Sequence, residues 1–173
     1  MDSLTVGLKG HGKTTLNLKL VEAFKKIGEK SVVLTPMRND VPRWKAAGAV
    51  WVTMDQAEFL RVVELPENWR LHLFVDEIEE TIGQYDARVR KFVTQARNNN
   101  GHQLHFIGQR AKQVHPTVRN NCTRIFALRQ TPADCEVLAD MVGEARLAEA
   151  AELMPMEFVT ATTVKGSYRK GKL

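Results

Sequence analysis

The sequence predicts an α/β fold, a single domain with a mainly parallel sheet and helices on both faces. Three observations predict it. Short β-branched or apolar runs alternate along the chain with segments of helical apolar spacing, which is typical of parallel sheets covered on both sides. A glycine-rich run directly follows the first strand, and an acidic pair follows a later one. With 173 residues, of which 43% are hydrophobic and 26% charged, the chain can bury an ordinary globular core.

The elements follow in order from apolar spacing and turn residues. Asp55 supplies an N-cap, Gly28 ends the first helix, and residues 37–43 are predicted to form a polar, proline-bounded loop. Residues 1–164 are predicted to form the domain, and residues 165–173 a basic C-terminal strand or tail. We predict strands at 4–6, 31–35, 49–53, 71–75, 104–108, 124–128 and 158–164, and helices at 13–27, 56–63, 85–98, 133–141 and 144–153, with a helical turn at Pro116.

Residues 7–15 carry a phosphate-binding motif. They read Gly-Leu-Lys-Gly-His-Gly-Lys-Thr-Thr and fit the P-loop pattern G-x-x-x-x-G-K-[ST] between a strand and a helix. Glycines let the backbone wrap close to phosphate oxygens, while the amides and the helix N-terminus face negative charge. We expect Lys13 to reach the β- and γ-phosphates of ATP and the Thr14 hydroxyl to hold Mg²⁺. The predicted nucleotide-binding residues are Gly7, Lys9, Gly10, His11, Gly12, Lys13, Thr14 and Thr15.

An acidic pair closes the strand predicted at 71–75 and completes the motif set. Asp76 is expected at the carboxyl edge of the sheet, facing the P-loop, where it binds Mg²⁺ directly or through water. Glu77 is expected to polarise an attacking water as a general base, which favours hydrolysis over transfer to a small molecule. In ATPases with such a glutamate an added strand lies between the two motif strands. We predict that 104–108 is this strand, and that Gln109 at its tip orients water or senses phosphate loss.

The charge is unevenly distributed along the chain. The net charge is +5, and residues 87–133 contain nine Arg or Lys but no Asp or Glu. This positive field indicates either a polyanionic partner or nucleotide contact, although a solvated face with structural ion pairs explains it equally well. No apolar run is long enough for a membrane span, and we expect no signal peptide. Cys122 and Cys135 lack metal-site or disulfide-framework spacing, so we expect buried core thiols and a reducing cytoplasmic location.

Taken in order, these motifs resemble the FtsK/HerA superfamily of DNA-pumping ATPases, which includes viral genome-packaging ATPases. Residues 107–110 (Ile-Gly-Gln-Arg) are similar to the superfamily's T-Q-R segment, and residues 118–126 are similar to its run of I-x-x-N-x-x-x-R-I-A-F type. The resemblance implies a RecA/ASCE-like P-loop NTPase domain in a ring, usually of six subunits, that threads double-stranded DNA. It also implies that Arg124 is the arginine finger reaching a neighbour's ATP, with Arg110 and Arg119 as competitors.

The length of the chain fits a bare motor domain, which is most similar to small viral packaging ATPases, because the cellular motors carry further domains. We therefore expect ATP- and Mg²⁺-dependent translocation or packaging of double-stranded DNA through contacts to its backbone. A docking partner on a viral capsid or portal vertex and a location in the host cytoplasm or virion would follow. The candidate DNA-contacting segments are residues 37–43, residues 97–102 and the basic C-terminus.

Two other functions stay open on the sequence. A small P-loop (deoxy)nucleoside or nucleotide kinase fits the length, and thymidine kinases share a strand ending in Asp-Glu. Those enzymes carry a four-cysteine zinc site, however, which two cysteines cannot build. The third hypothesis is a nucleotide-gated assembly factor that binds ATP without useful turnover.

Overall fold

The computed structural model describes residues 1–65, 67–81, 92, 93, 96 and 100–173. Within these residues, eight strands form one sheet in the order β3-β2-β4-β5-β1-β6-β7-β8, which confirms the predicted α/β class. The strands are β1 (Ser3–Val6), β2 (Ser31–Leu34), β3 (Trp51–Thr53), β4 (His72–Val75), β5 (Gln103–Gly108), β6 (Arg124–Ala127), β7 (Glu157–Thr162) and β8 (Arg169–Lys172).

The helices of the described residues alternate with these strands over most of the chain. They are α1 (Lys13–Lys26), α2 (Val41–Ala47), α3 (Gln56–Val63), α4 (Ile78–Thr81), α5 (Pro116–Asn121) and α6 (Pro132–Val142), with 3-10 helices η1 (Ala111–Gln113) and η2 (Ala145–Glu152). None of these helices is long and apolar enough to cross a membrane.

The chain divides into two compact units, the second of which comprises residues 17–106. In this unit β2 pairs in parallel with β3 and with β4, and β4 pairs in parallel with β5. Every residue of β2 and β4 is buried, as expected for strands covered on both faces. Phe74 at the centre of β4 contacts Trp44 with ring centroids 5.7 Å apart, and both side chains are fully buried. Trp44 is therefore a packing residue in the core of this unit.

The first unit comprises residues 1–16 and 107–173. Here β1 pairs in parallel with β6, from Ser3 opposite Arg124 to Val6 opposite Ala127. β7 and β8 extend the sheet in the antiparallel sense, so the last part of the chain includes a strand. β5 passes from the second unit into the first, and its place between β4 and β1 in the strand order confirms the added strand that we predicted. The division predicted at residue 164 stays a prediction.

Two local predictions need correction or restriction. The loop predicted at 37–43 is wrong in its second half, because α2 begins at Val41. Pro42 lies in the first turn of α2, where its missing N–H costs nothing, so it opens the helix instead of breaking a regular structure. The helix predicted at 85–98, with its arginines, lies for the most part outside the described residues.

Candidate active site

The loop that follows β1 adopts a backbone that glycine favours. Gly10 and Gly12 have φ angles of +81° and +105°, in the left-handed region that other residues rarely adopt. His11 N donates to Leu8 O over 3.3 Å and tightens the turn between them. Backbone amides gathered in turns of this kind form concave anion sites, and α1 begins immediately afterwards at Lys13. The loop therefore has a conformation suited to phosphate.

Gly7 allows two chain segments to approach closely. A Cβ atom built on Gly7 would lie 2.8 Å from the Cβ of Leu128, which follows β6. One residue on, Leu8 N donates to Arg129 O over 2.9 Å. The start of the P-loop is therefore anchored on the residues that follow β6, and a side chain at position 7 would push it away.

Lys13 lies against the loop that precedes it. Its side chain is buried, and Nζ donates to Gly7 O over 2.8 Å. From this position the Lys13 ammonium can transfer its hydrogen bond from Gly7 O to an oxygen of a bound phosphate. Thr14 and Thr15 follow in the first turn of α1 and are half-buried, whereas Lys9 is exposed.

The guanidinium of Arg129 is a second positive charge near the P-loop, and together with burial it lowers the pKa of His11 in that loop. Arg129 is exposed and lies two residues after the end of β6, where its carbonyl contacts the start of the P-loop. Burial, then the charge of Arg129 and then that of Lys13 lower the pKa of His11. The imidazole is therefore held in its neutral form, and its Nδ1 atom is buried with no hydrogen-bond partner among the described residues. Sequence reasoning missed Arg129 as a site residue, since a basic residue after a strand carries no signal of its own.

Asp76 lies at the carboxyl end of β4 and is almost completely buried. Thr35, which follows β2, donates from Oγ1 to Asp76 Oδ2 over 2.9 Å, and Glu77 N donates to Asp76 Oδ1 over 3.0 Å. Burial raises the pKa of Asp76 to about 6, and the Glu77 charge adds to this, whereas the hydrogen bond from Thr35 opposes it. Burial destabilises the ionised form of the Asp76 carboxyl group, and a cation bound beside it would stabilise that form. Sequence reasoning missed Thr35, whose only signal is a polar residue at a strand end.

Glu77 occupies a strained backbone position. Its φ angle is +44°, which costs a residue with a Cβ about 1–2 kcal/mol. The turn is held from the next helix, because Thr81 Oγ1 donates to Asp76 O over 3.0 Å and to Glu77 O over 3.1 Å. Strain of this kind is typical of functional sites and is consistent with the general-base role predicted for Glu77.

Gln109 and Arg110 follow β5 and are tied to the residues around α6. Gln130 Nε2 donates to Gln109 O over 2.9 Å. Arg110 Nε donates to Asp134 Oδ2 over 3.1 Å, and the Asp134 side chain is fully buried. Burial opposes ionisation of Asp134, but hydrogen bonds from Thr131, Lys112 N and Arg110 together lower its pKa. Arg110 therefore has a carboxylate partner in its own chain.

Arg124 lies at the opposite end of β6 from the residues that contact the P-loop. It is exposed and lies opposite Ser3, at the amino end of β1, whereas the P-loop leaves the carboxyl end. Arg124 and Ala127 are three residue steps apart along β6, a distance of about 10 Å. Arg119 in α5 is half-buried. The role of Arg124 toward a neighbouring subunit stays a prediction.

The predicted site residues are shared between the two units. The first unit contains the P-loop (residues 7–15), Gln109, Arg110 and Arg124. The second unit contains Asp76 and Glu77. The structure brings Gln109 into the same hydrogen-bonded set as Arg129, whose carbonyl also holds the P-loop. The joint use of Thr14 and Asp76 on one Mg²⁺ stays a prediction.

The described residues contain no group of three or more His, Cys, Asp or Glu side chains arranged to hold a metal ion. This finding does not bear on a magnesium–nucleotide site, in which one carboxylate, a hydroxyl and phosphate oxygens supply the ligands. Cys122 and Cys135 are buried, and burial raises the pKa of both thiols. Their interpretation as core residues is therefore confirmed.

Comparison of the structure with solved proteins finds chains of the same fold, several of them NTPases or ATPases. The genome-packaging NTPase B204 of Sulfolobus turreted icosahedral virus 2, in complex with AMPPCP, superposes with a TM-score of 0.78 at 15% identity over 99% of this chain and 96% of that chain. VirB4 of Thermoanaerobacter pseudethanolicus superposes with a TM-score of 0.73 at 9% identity over 99% and 88% of the two chains. The pCW3 conjugation coupling protein TcpA, with ATPγS, gives 0.69 at 14% identity over 99% and 59%.

These likenesses concern the fold, since the identities are low. No protein-family model and no curated relative matches the sequence. The likenesses to solved structures confirm the predicted α/β fold of a P-loop NTPase domain.

Proposed function

We propose that this chain hydrolyses ATP to translocate or package double-stranded DNA, and that it works as a subunit of a homo-oligomeric ring. The observation that carries the proposal is the P-loop, with left-handed Gly10 and Gly12 and with Lys13 folded over its carbonyls. The fold supports it, because a viral genome-packaging NTPase solved with an ATP analogue matches almost the whole chain.

ATP binds first to the P-loop in this mechanism. Lys13 Nζ leaves Gly7 O for the β- and γ-phosphates, while the amides from Lys9 to Thr15 and the N-terminus of α1 surround the phosphate oxygens. His11 is neutral and its Nδ1 has no partner among the described residues, so it can contact a phosphate oxygen or its hydrogen-bonded water.

Hydrolysis is assigned to the acidic pair and Gln109. Glu77 accepts a proton from the attacking water, and Gln109 orients that water. Thr14 and Asp76 would supply oxygen ligands of the kind Mg²⁺ prefers. The raised pKa of Asp76 supports this role, because a bound cation would offset the cost of ionising the buried carboxyl group. Mg²⁺, when bound, would neutralise charge on the β- and γ-phosphates.

Arg124 completes the site of the adjoining subunit in this proposal. Arg124 is exposed, and it lies at the end of β6 that is remote from the P-loop of its own chain. This position leaves its side chain available to another subunit. An arginine supplied in trans stabilises charge on the γ-phosphate in the transition state. It also makes hydrolysis depend on assembly, so that neighbouring subunits can act in sequence on DNA.

The polymer partner is proposed from charge and fold together. A basic middle third and a basic end suit contacts to the phosphate backbone, which do not depend on base sequence. A motor of this kind would dock on a capsid or portal vertex and work in the host cytoplasm or the virion.

Phosphate release by the purified protein, with and without double-stranded DNA, tests the proposal. We expect Mg²⁺-dependent hydrolysis that DNA stimulates and that rising salt weakens. Glu77→Gln should keep ATP binding and lose turnover, because the amide cannot accept the proton from water.

Glu80→Gln is the matched control, since Glu80 is exposed in α4, three residues after Glu77. Its turnover should equal that of the unaltered protein. Hydrolysis indifferent to DNA, together with phosphorylation of added nucleosides, would establish the kinase instead. ATP binding without turnover under any of these conditions would establish the nucleotide-gated assembly factor.

A further inference from the structure

A buried amide joins the segment after β5 to the segment after β6. Gln130 is only 2% exposed. Its Nε2 donates to Gln109 O over 2.9 Å and to Arg129 O over 3.2 Å, and its Oε1 accepts from Ala111 N over 3.4 Å. Both amide protons and the amide oxygen are therefore engaged by main-chain groups on the two segments.

The same segments hold the start of the P-loop. Arg129 O, which accepts from Gln130, also accepts from Leu8 N over 2.9 Å. Gly7 N donates to Gly108 O, the residue before Gln109, over 3.3 Å. Gln130 therefore lies in a continuous chain of hydrogen bonds that runs from Gln109 through Arg129 to Leu8.

Asp134 holds the other half of the segment after β5. Its Oδ1 accepts from Lys112 N over 2.9 Å, and its Oδ2 accepts from Arg110 Nε over 3.1 Å and from Thr131 Oγ1 over 2.5 Å. Because Gln130 and Asp134 together hold the main chain at Gln109, Ala111 and Lys112, the segment has little freedom to move independently of β6 and α6.

Burial makes these contacts costly to break. A buried polar group left without its partner costs more free energy than an ordinary hydrogen bond contributes on net, because the group keeps its full desolvation penalty. Moving Gln109 O away from Gln130 would leave the buried amide of Gln130 without this acceptor, and therefore carries the larger penalty. The loop that carries Gln109 and the loop that binds phosphate should move as one body.

We propose that Gln130 is a positioning residue that couples Gln109 to the P-loop, so that the Gln109 side chain is placed relative to bound phosphate. The inference rests on the proposed function, in which Gln109 orients the attacking water. Gln130 touches neither nucleotide nor water in this proposal and acts through the main chain of Gln109. Arg110, held by Asp134, is then part of the same support.

Gln130→Met tests the coupling, because it keeps the length of the side chain and removes both donors and the acceptor. We expect kcat for ATP hydrolysis to fall ~10- to 100-fold with KM within about twofold, as for a small misplacement of a catalytic group. Gln113→Met is the matched control, since it alters an exposed glutamine of the same segment, in η1, and should leave kcat unchanged.

A double-mutant cycle separates positioning from general weakening of the fold. If Gln130 acts through Gln109, then Gln130→Met should have little further effect on kcat in a Gln109→Ala background. Additive losses in the cycle, or an unchanged kcat in folded Gln130→Met, would overturn the coupling.

Hydrogen exchange of the unaltered protein gives a readout that depends on neither turnover nor the folding of a variant. A non-hydrolysable ATP analogue should slow exchange of the Ala111 and Lys112 amides as well as that of the P-loop amides. Protection confined to the P-loop would overturn the coupling even if the protein is an ATPase. Coupled protection in a protein without turnover would instead overturn the proposed function and leave the coupling supported.

Discussion

The hydroxyl of Thr35 donates to the carboxylate of Asp76 over 2.9 Å, although the two residues are 41 positions apart in the chain. Both side chains are buried, and the parallel pairing of β2 with β4 brings them side by side, since each follows directly after its strand. Thr35 thus stabilises the ionised form of a carboxyl group that burial works against.

Thr35→Val should move the acidic limb of the activity profile to higher pH. The variant keeps the shape of the side chain and removes the hydrogen bond that lowers the pKa of Asp76, so that pKa should rise above about 6. We expect kcat/KM for ATP hydrolysis to fall most near pH 6 and least near pH 8, where the carboxyl group is ionised in both proteins.

Ser31→Ala is the control for this measurement, because Ser31 begins the same strand with a buried hydroxyl that has no partner among the described residues. Its profile should overlay that of the unaltered protein. Coincident profiles for Thr35→Val as well would show that the Thr35 hydroxyl does not tune Asp76.

Asp76→Asn should stabilise the protein at neutral pH in the absence of nucleotide and metal. The folded pKa of Asp76 is raised from 3.8 to about 6, so the folded state binds this proton more tightly than the unfolded chain. The corresponding stability is fully present below pH 4 and is lost as the pH rises through 6. At 1.36 kcal/mol per pKa unit, this loss amounts to roughly 2–3 kcal/mol.

Urea unfolding in EDTA at a series of pH values measures this effect. Asp76→Asn should exceed the unaltered protein in free energy of unfolding by that amount near pH 7.5 and match it near pH 4. Asp140→Asn, at an exposed position of α6, should show no such pH-dependent gain. A less stable Asp76→Asn at pH 7.5 would contradict the assigned burial cost.

Glu77→Gly should be more stable than Glu77→Ala by about 1 kcal/mol. Both variants lack the carboxylate, so both should lose hydrolysis, but only alanine retains a Cβ at a φ of +44°. Thermal unfolding of the two proteins gives the comparison.

The same pair of substitutions at Glu80 supplies the control. Glu80 is exposed in α4, where glycine is less favourable than alanine by about 1 kcal/mol, so the order of stability should reverse. If the glycine variant were the more stable, or the less stable, at both positions, that result would argue against backbone strain at Glu77.

Mixing two inactive variants should restore hydrolysis if Arg124 acts on a neighbour. Arg124→Ala and Lys13→Ala should each lower turnover about 10³-fold or more. In an equal mixture, intact Lys13 of one subunit meets intact Arg124 of the next at about a quarter of the interfaces of a randomly assembled ring. Phosphate release by the mixture should approach that fraction of the unaltered activity.

Lys13→Ala mixed with Glu77→Gln is the control, because both residues serve the same side of one site and no interface becomes complete. Restoration in this mixture, or its absence in the first, would contradict the division of the site between subunits.

The motifs that lie close together in the chain were predictable from the sequence. The P-loop owes its conformation to residues within it, Gly10, Gly12 and Lys13, which form the turn and begin α1. The acidic pair likewise lies at the end of the strand that immediately precedes it. Strand and helix types follow from apolar spacing for the same reason. α2 is an exception, because proline is common both in loops and in the first turn of a helix, where Pro42 lies.

The amino-acid sequence by itself thus determined the phosphate-binding loop, the acidic pair and the strand that ends before Gln109. Only the tertiary structure decided that Thr35 supports Asp76, that Gln130 joins Gln109 to the P-loop, and that Arg124 lies opposite Ser3 at the amino end of β1. Each of these depends on which strands are neighbours and in what register. Strand order and register are set by the packing of the whole sheet, and no local pattern around these residues encodes them.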